Sequence, residues 1–206
     1  MCDFAGWASC GVGSSVTWED HTVSHRHLAV PEPLADATPE QLEMLDRFRV
    51  MSFEMTSLHH AILVERTPDR VVVDVTSQPW GPGLDQKFTR REVLPAVPPP
   101  EPATREISHV EDEDGGSAVV VKQSWDDLFR GVPATEGDER IDVAGRAMAC
   151  RWNERAIDGP TGRFQVKFWR CADIPGGIAR SSVRMEGPME QQTVDTKIIA
   201  LERKAP

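Results

Sequence analysis

Three histidines, His21, His25 and His27, fall at odd positions of one stretch, residues 14–28 (SSVTWEDHTVSHRHL). In an extended chain, side chains two apart leave the same face, so a strand here presents all three imidazoles together. His25-x-His27 is the spacing by which one strand offers two imidazoles to a single ion. A divalent site needs three or four convergent ligands, and His59, His60 and His109 are the candidates to complete it. The competing reading of the three histidines is a solvated polar strand face, interrupted by a bulge near Asp20.

Cys150 and Cys171 flank a connector at 156–162, and hairpin pairing centred there sets them within a residue or two of directly opposite. Two outcomes follow. Either the pair forms a cross-strand disulfide, for which Cα atoms must lie roughly 4.4–6.8 Å apart, or both thiols stay reduced and pack as small hydrophobes. No histidine is near either cysteine in sequence or across the hairpin, which argues against a catalytic thiol. The four cysteines, at 2, 10, 150 and 171, form no CxxC pair, which argues against a zinc knuckle.

Six tryptophans with no tyrosine are an unusual aromatic composition. Trp18, Trp152 and Trp169 lie in strand-like runs, where they fill a core or line a ligand cavity. Trp80 stands among Pro79, Gly81, Pro82 and Gly83, and an aromatic on a loop is a contact residue or an anchor. These four are the candidate ligand-contacting residues. Gly81-Pro82-Gly83 lacks the lysine and helix of a phosphate loop, and its proline removes an N–H that would face phosphate. Ser, His and Asp occur at no diagnostic spacing, and Asp112–Asp114 reads as a solvated turn, so no residue is assigned as catalytic.

The elements that must position these groups are mostly strands. Residues 14–28 open the chain as the first. Thr38 as N-cap, Pro39 at the first helical position and Gln41 three residues after Thr38 give a capping box, so a helix runs near 39–48 with Leu42, Leu45 and Phe48 on one face. Runs 51–66 and 70–77 flank the turn Thr67-Pro68-Asp69, and Val71-Val72-Val73 is strongly β-forming. Seven prolines between 78 and 104 predict a Pro-rich extended surface loop. Strands over 105–111 and 117–123 flank an acidic Gly-ended turn, and 124–130 reads as a short helix capped by Ser124. Strands then follow at 139–155 (broken at Gly145), 162–171, 178–186 and 191–202, with Asp158–Gly162 and Pro175-Gly176-Gly177 as connectors.

Composition sets the outer bounds. The 206 residues carry 23 Lys plus Arg against 33 Asp plus Glu, a formal charge of −10. An acidic balance disfavours nucleic acid as a partner, because affinity for phosphate backbones comes from basic side chains. No run approaches the ~20 apolar residues of a membrane span. Residues 2–13 lack the basic start of a secretory signal, so the chain as written reads as cytoplasmic; an exported protein trimmed to Cys2 is the alternative.

The order Gly145-Arg146, Cys150-x-Trp152, Phe168-Trp169, Ile174-Pro175-Gly176-Gly177-Ile178 and a closing strand, together with the opening Gly13-Ser14-Ser15-Val16-Thr17-Trp18, resembles small uncharacterised bacterial β-sheet proteins. These are similar, more distantly, to the lipoprotein-carrier group, in which a curved antiparallel sheet wraps an apolar cavity. The likeness covers about the last 65 residues and the first strand. It implies a lipid-handling fold and no catalytic motif. His25-x-His27 followed by Glu32 is also similar to the first cupin motif, but Glu19 and Pro39 stand where that family places glycines.

The expected protein is a single α+β domain over 1–206, mainly β. Its architecture is a curved, half-barrel-like antiparallel sheet with one helix and the Pro-rich loop as decoration. The leading function is non-enzymatic binding of a small hydrophobic ligand or a protein partner through an apolar sheet face. The alternatives are a metal-dependent enzyme or metal-binding protein built on His25 and His27, with a divalent metal as cofactor, and an accessory subunit of a larger assembly.

Overall fold

The computed structural model describes residues 4–27, 38–80, 87–95, 106–111, 117–122, 132–159 and 162–206. A short helix, α1 (Phe4–Ala8), leads into β1 (Ser15–His27). Helix α2 (Pro39–Arg49) then runs without a break into β2 (Val50–Arg66). The capping box is formed: Gln41 N–H donates to Thr38 Oγ1 at 3.3 Å and Thr38 N–H donates to Gln41 Oε1 at 2.9 Å. Next come β3 (Arg70–Trp80), β4 (Phe88–Pro95), β5 (Glu106–Glu111) and β6 (Ser117–Lys122). The chain ends with β7 (Thr135–Val143), β8 (Arg146–Gly159), β9 (Gly162–Arg170), β10 (Ile178–Glu186) and β11 (Glu190–Glu202).

Nine strands make one antiparallel sheet in the order β4-β3-β2-β1-β11-β10-β9-β8-β7, and β5 and β6 form a separate hairpin next to β4. The sheet is open, with β4 and β7 at its ends. It is nevertheless curved, because β7 comes back near β11 although three strands separate them. The expected curved antiparallel sheet with few helices is therefore what the chain adopts.

Local chemistry explains the hairpins. Between β7 and β8, Ala144 and Gly145 both take positive φ (51° and 79°), the two-residue turn whose twist matches paired strands. Asp142 Oδ1 accepts from Gly145 N–H there, at 3.2 Å. Thr67 N–H donates to Arg70 O across the β2–β3 turn, and Gly187 N–H to Glu190 O across β10–β11.

Two expectations are corrected. The first strand is in register through Asp20. Its irregularity lies between Thr17 and Trp18 against β11, where Ile199 is the extra residue. The imperfect alternation that suggested a bulge at Asp20 arises because Val23 lies half-buried on the opposite face, while Ser24 keeps the buried parity of Val16 and Trp18. The Pro-rich stretch is not all loop, since β3 extends to Trp80 and β4 occupies Phe88–Pro95. Residues 83–94 contain no proline, and Pro79 lies beyond the last β3–β4 pair, Ser77 with Phe88. The remainder of that stretch lies outside the described residues, as do the 124–130 helix and the acidic turn.

One end of the sheet is sealed by α1 and the Cys171–Gly177 loop. Trp7, Cys10 and Ile174 are buried there with Val143, Cys150, Trp169 and Cys171. Gly6 is required at this junction, because a Cβ on it would stand 2.2 Å from the backbone nitrogen of Gly177. Ser14, fully buried, donates to Gly11 O at 2.7 Å and accepts from Lys204 N–H at 2.9 Å, tying the two ends of the chain together.

Candidate functional site: a polar belt set in an apolar sheet face

Period-two alternation and the strand register place the side chains of the sheet in rows. On the face that carries Trp18, one row reads Ser57 (β2), Asp20 (β1), Thr196 (β11), Ser181 (β10) and Phe168 (β9). Towards the sealed end the next row is Phe88, Ser77, His59, Trp18 and Ile198. On the opposite side of the polar row lie Met55, Thr22, Val194, Val183 and Val166, followed by Phe53, Ser24, Gln192, Met185 and Phe164. A belt of hydroxyl, carboxylate and imidazole groups thus crosses a largely apolar face.

The belt is a continuous hydrogen-bond chain over four strands. Ser77 Oγ lies 2.8 Å from His59 Nδ1, His59 Nε2 lies 3.1 Å from Asp20 Oδ2, and Thr196 Oγ1 donates to Asp20 Oδ1 at 2.5 Å. The indole of Trp18 stacks on His59 with centroids 5.0 Å apart and planes 13° from parallel, which fixes the ring. Burial by itself would raise the Asp20 pKa. The hydrogen bonds from His59 and Thr196, with the charge of His59, outweigh burial and hold the carboxyl below its ordinary range. Asp20 is therefore an ionised acceptor, with the Nε2 edge of His59 turned towards it and the Nδ1 edge facing the Ser77 hydroxyl. At the far end of the belt, Ser181 is fully buried and its Oγ has no hydrogen-bond partner among the described residues.

The sequence-derived site residues distribute differently. His21, His25 and His60 lie on the opposite face from His59, each with a separate partner. His21 Nε2 is 2.9 Å from Glu54 Oε1, His25 Nδ1 is 2.9 Å from Ser52 Oγ, and His60 Nδ1 is 3.0 Å from Thr17 Oγ1. His27 is exposed at the end of β1, where its backbone N–H donates to Met189 O. His109 sits in the separate β5–β6 hairpin. Among the described residues, no three of His, Cys, Asp and Glu converge as a metal would require. Glu32 lies outside the described residues.

Of the four tryptophans, Trp18 (5% exposed) and Trp169 (7%) are core residues and leave no indole face open to a ligand. Trp152 stands directly opposite Trp169, half-buried. Lys167 Nζ lies 4.2 Å from the Trp152 centroid and 4.8 Å from that of Trp169, while Arg180 covers Trp169 at 5.0 Å. Trp169 Nε1 donates to Glu139 Oε2 at 2.8 Å. This cluster is internally satisfied. Trp80 ends β3, and its side chain lies outside what the structure describes.

Cys150 and Cys171 are both buried free thiols. The β8–β9 ladder pairs Arg151 with Arg170, so the next residue on each strand faces the other. Burial pushes the Cys150 thiol up to about 12, with the neighbouring Cys171 adding to the effect. An open depression of about 440 Å³ lined by Asp138, Glu139, Arg140, Ala149, Cys150 and Arg151 lies alongside, but a thiol held protonated supplies no nucleophile to it.

Compared with protein-family models, with curated proteins and with solved structures, the chain matches none. Among the described residues no helix is long and apolar enough to cross a membrane.

Asp20, Ser77, Thr196 and Ser181 were not singled out from sequence. Their spacing along the chain carries no signal, since four strands bring them together. The one available hint was that Asp20 shares a strand face with Trp18 and Thr22, in a strand otherwise read from its odd-numbered histidines.

Proposed function

We propose that the protein binds a small, mainly apolar molecule on the Trp18 face of its sheet, with the molecule's neutral polar end hydrogen-bonded to the belt. The observation that carries this reading is the partly open apolar surface that lies beside the belt on the same face. A few convergent polar groups in a predominantly apolar surface are what orient a small ligand. Met55, Val194, Val183, Met185 and Phe164 are only half-buried, so this part of the face retains apolar surface for the body of such a molecule. The Asp20 carboxylate repels an acidic head and suits a donor such as an alcohol or amide.

The neutral dye Nile red tests the reading. Expected are saturable binding with a blue-shifted emission, and weaker binding in Phe53→Ser and Met55→Ser, two changes on the more open part of the face. Emission unchanged from buffer, or equal binding by both variants, would overturn it.

A second reading has its own observation. Val50, Met51, Phe53 and Met189 are all exposed, and they gather around the end of β1, where Val50 pairs with His27 and Met51 with Arg26. Exposed apolar patches of this kind mark protein partners. Retention of Nile red binding together with stable co-elution with a partner protein, lost in Met51→Ser, would favour it.

A further inference from the structure

We infer that Ser77, His59 and Asp20 form a nucleophile relay for acyl transfer, with Ser77 the attacking residue and an ester of an apolar acid the substrate class. The substrate class rests on the binding proposal above; the relay itself rests on the geometry of its three side chains. A serine becomes nucleophilic when a neutral nitrogen base sits within hydrogen-bond reach and a third group orients that base. Ser77 Oγ is 2.8 Å from His59 Nδ1, within the 2.6–3.2 Å reach such a pair needs. His59 Nε2 is 3.1 Å from Asp20 Oδ2, and Asp20 is fixed from its other oxygen by Thr196. The ring is used in the reverse sense from the familiar serine–histidine–aspartate arrangement, with serine on Nδ1 and carboxylate on Nε2. The roles are unchanged, because such a triad is defined by geometry and roles rather than by sequence position.

Three features favour a working relay over a hydrogen-bond ladder that only joins strands. The carboxylate remains ionised despite its burial, which is the state that fixes the histidine tautomer. Trp18 stacks on the imidazole and prevents it from turning away. Ser77 is half-buried rather than sealed, and directly opposite it the exposed Phe88 offers apolar surface beside the reacting atom.

In the first step Ser77 Oγ bonds to the ester carbonyl carbon while its proton passes to His59 Nδ1. The carbon–oxygen bond to the alcohol then breaks, and the departing alkoxide takes that proton. Water, deprotonated by His59 in turn, attacks the acyl-serine, releases the carboxylic acid and restores the Ser77 hydroxyl. Ser77 and His59 are catalytic residues in this scheme, and Asp20 is a positioning residue.

The test uses diisopropyl fluorophosphate, in which the serine oxygen displaces fluoride from phosphorus, on the intact chain. Expected is one adduct, mapped to Ser77 by peptide mass spectrometry, present in the folded protein and absent when labelling is done in urea. Ser77→Ala should abolish it. His59→Gln should slow it by about 100-fold or more, the usual contribution of a general base. Asp20→Asn should change the pH profile of the labelling rate, which loss of a merely structural bond would not do. No Ser77 adduct on the folded wild type, or an undiminished rate in a folded His59→Gln variant, overturns the relay. p-Nitrophenyl acetate and octanoate then address the substrate class: faster octanoate cleavage that is reduced by Phe53→Ser supports it. Equal rates for the two esters reject it while leaving the relay standing.

Discussion

His59 Nε2 on β2 lies 3.1 Å from Asp20 Oδ2 on β1, joining two strands by a charge-assisted contact in a half-buried setting. The pair is diagonal across the ladder, since His59 is directly opposite Trp18 and Asp20 is opposite Ser57. A partly buried carboxylate on a sheet face costs desolvation energy unless its lone pairs are met, and here both oxygens are, by His59 and by Thr196. The acid response of the protein follows from this relationship.

A carboxyl whose pKa is lower in the folded than in the unfolded chain adds stability above its unfolded pKa, about 3.9 for Asp, and loses it as pH falls through the folded value. Unfolding free energy from urea titrations should therefore drop as the pH falls below about 4 in the wild type. In Asp20→Asn it should be lower at pH 7 and should fall less over the same range. An identical pH slope in the two proteins would show that Asp20 gains nothing from His59 and Thr196.

Ser181→Ala removes a buried hydroxyl that has no partner among the described residues. The change should be neutral or stabilising by up to about 1 kcal/mol, since it relieves desolvation and leaves almost no cavity. Urea denaturation reads the difference. A loss of more than about 1 kcal/mol would mean the hydroxyl is satisfied in solution.

The strands, most of the turns and the capping box were legible in the sequence because each depends on near neighbours: β-branched runs, Pro-Asp and Pro-Gly-Gly punctuation, and Thr38 with Gln41. Strand β4 was hidden by the prolines on either side of it, although residues 83–94 contain none. The polar belt was not legible. Ser77, His59, Asp20 and Thr196 become neighbours only once β3, β2, β1 and β11 are ordered, and β11 reaches β1 from the far end of the chain. The histidine string attracted a metal reading because spacing along one strand shows which side chains share a face. It does not show what stands beside them, and beside His21 and His25 stand Glu54 and Ser52.

Gly6→Ala and Gly145→Ala separate two uses of glycine. At Gly6 a methyl would meet the backbone of Gly176 and Gly177, whereas at Gly145 nothing lies within 4 Å and only the positive φ of 79° objects. Gly6→Ala should therefore cost about 1–3 kcal/mol through overpacking, and Gly145→Ala about 1–2 kcal/mol through strain alone. Thermal melts at matched concentration measure both. Because the α1 junction closes the core end, loss at Gly6 should also expose Trp7, seen as red-shifted tryptophan emission.

The thiols at 150 and 171 should be inert in the folded protein. With Cys150 raised to about 12 and both residues buried, iodoacetamide at pH 8 should leave them unmodified for hours and alkylate them within minutes in urea. Rapid alkylation of the native protein at either position would contradict the buried, protonated pair.

Native mass spectrometry of the wild-type protein, purified without detergent or denaturant, tests the binding account most directly. The account predicts a population heavier than the polypeptide by the mass of a small organic molecule. That molecule should be released on denaturation and extracted into organic solvent, with its occupancy reduced in Phe53→Ser and Met55→Ser. A single species at the bare polypeptide mass, from several growth conditions and unchanged after incubation with long-chain alcohols or amides, would contradict it.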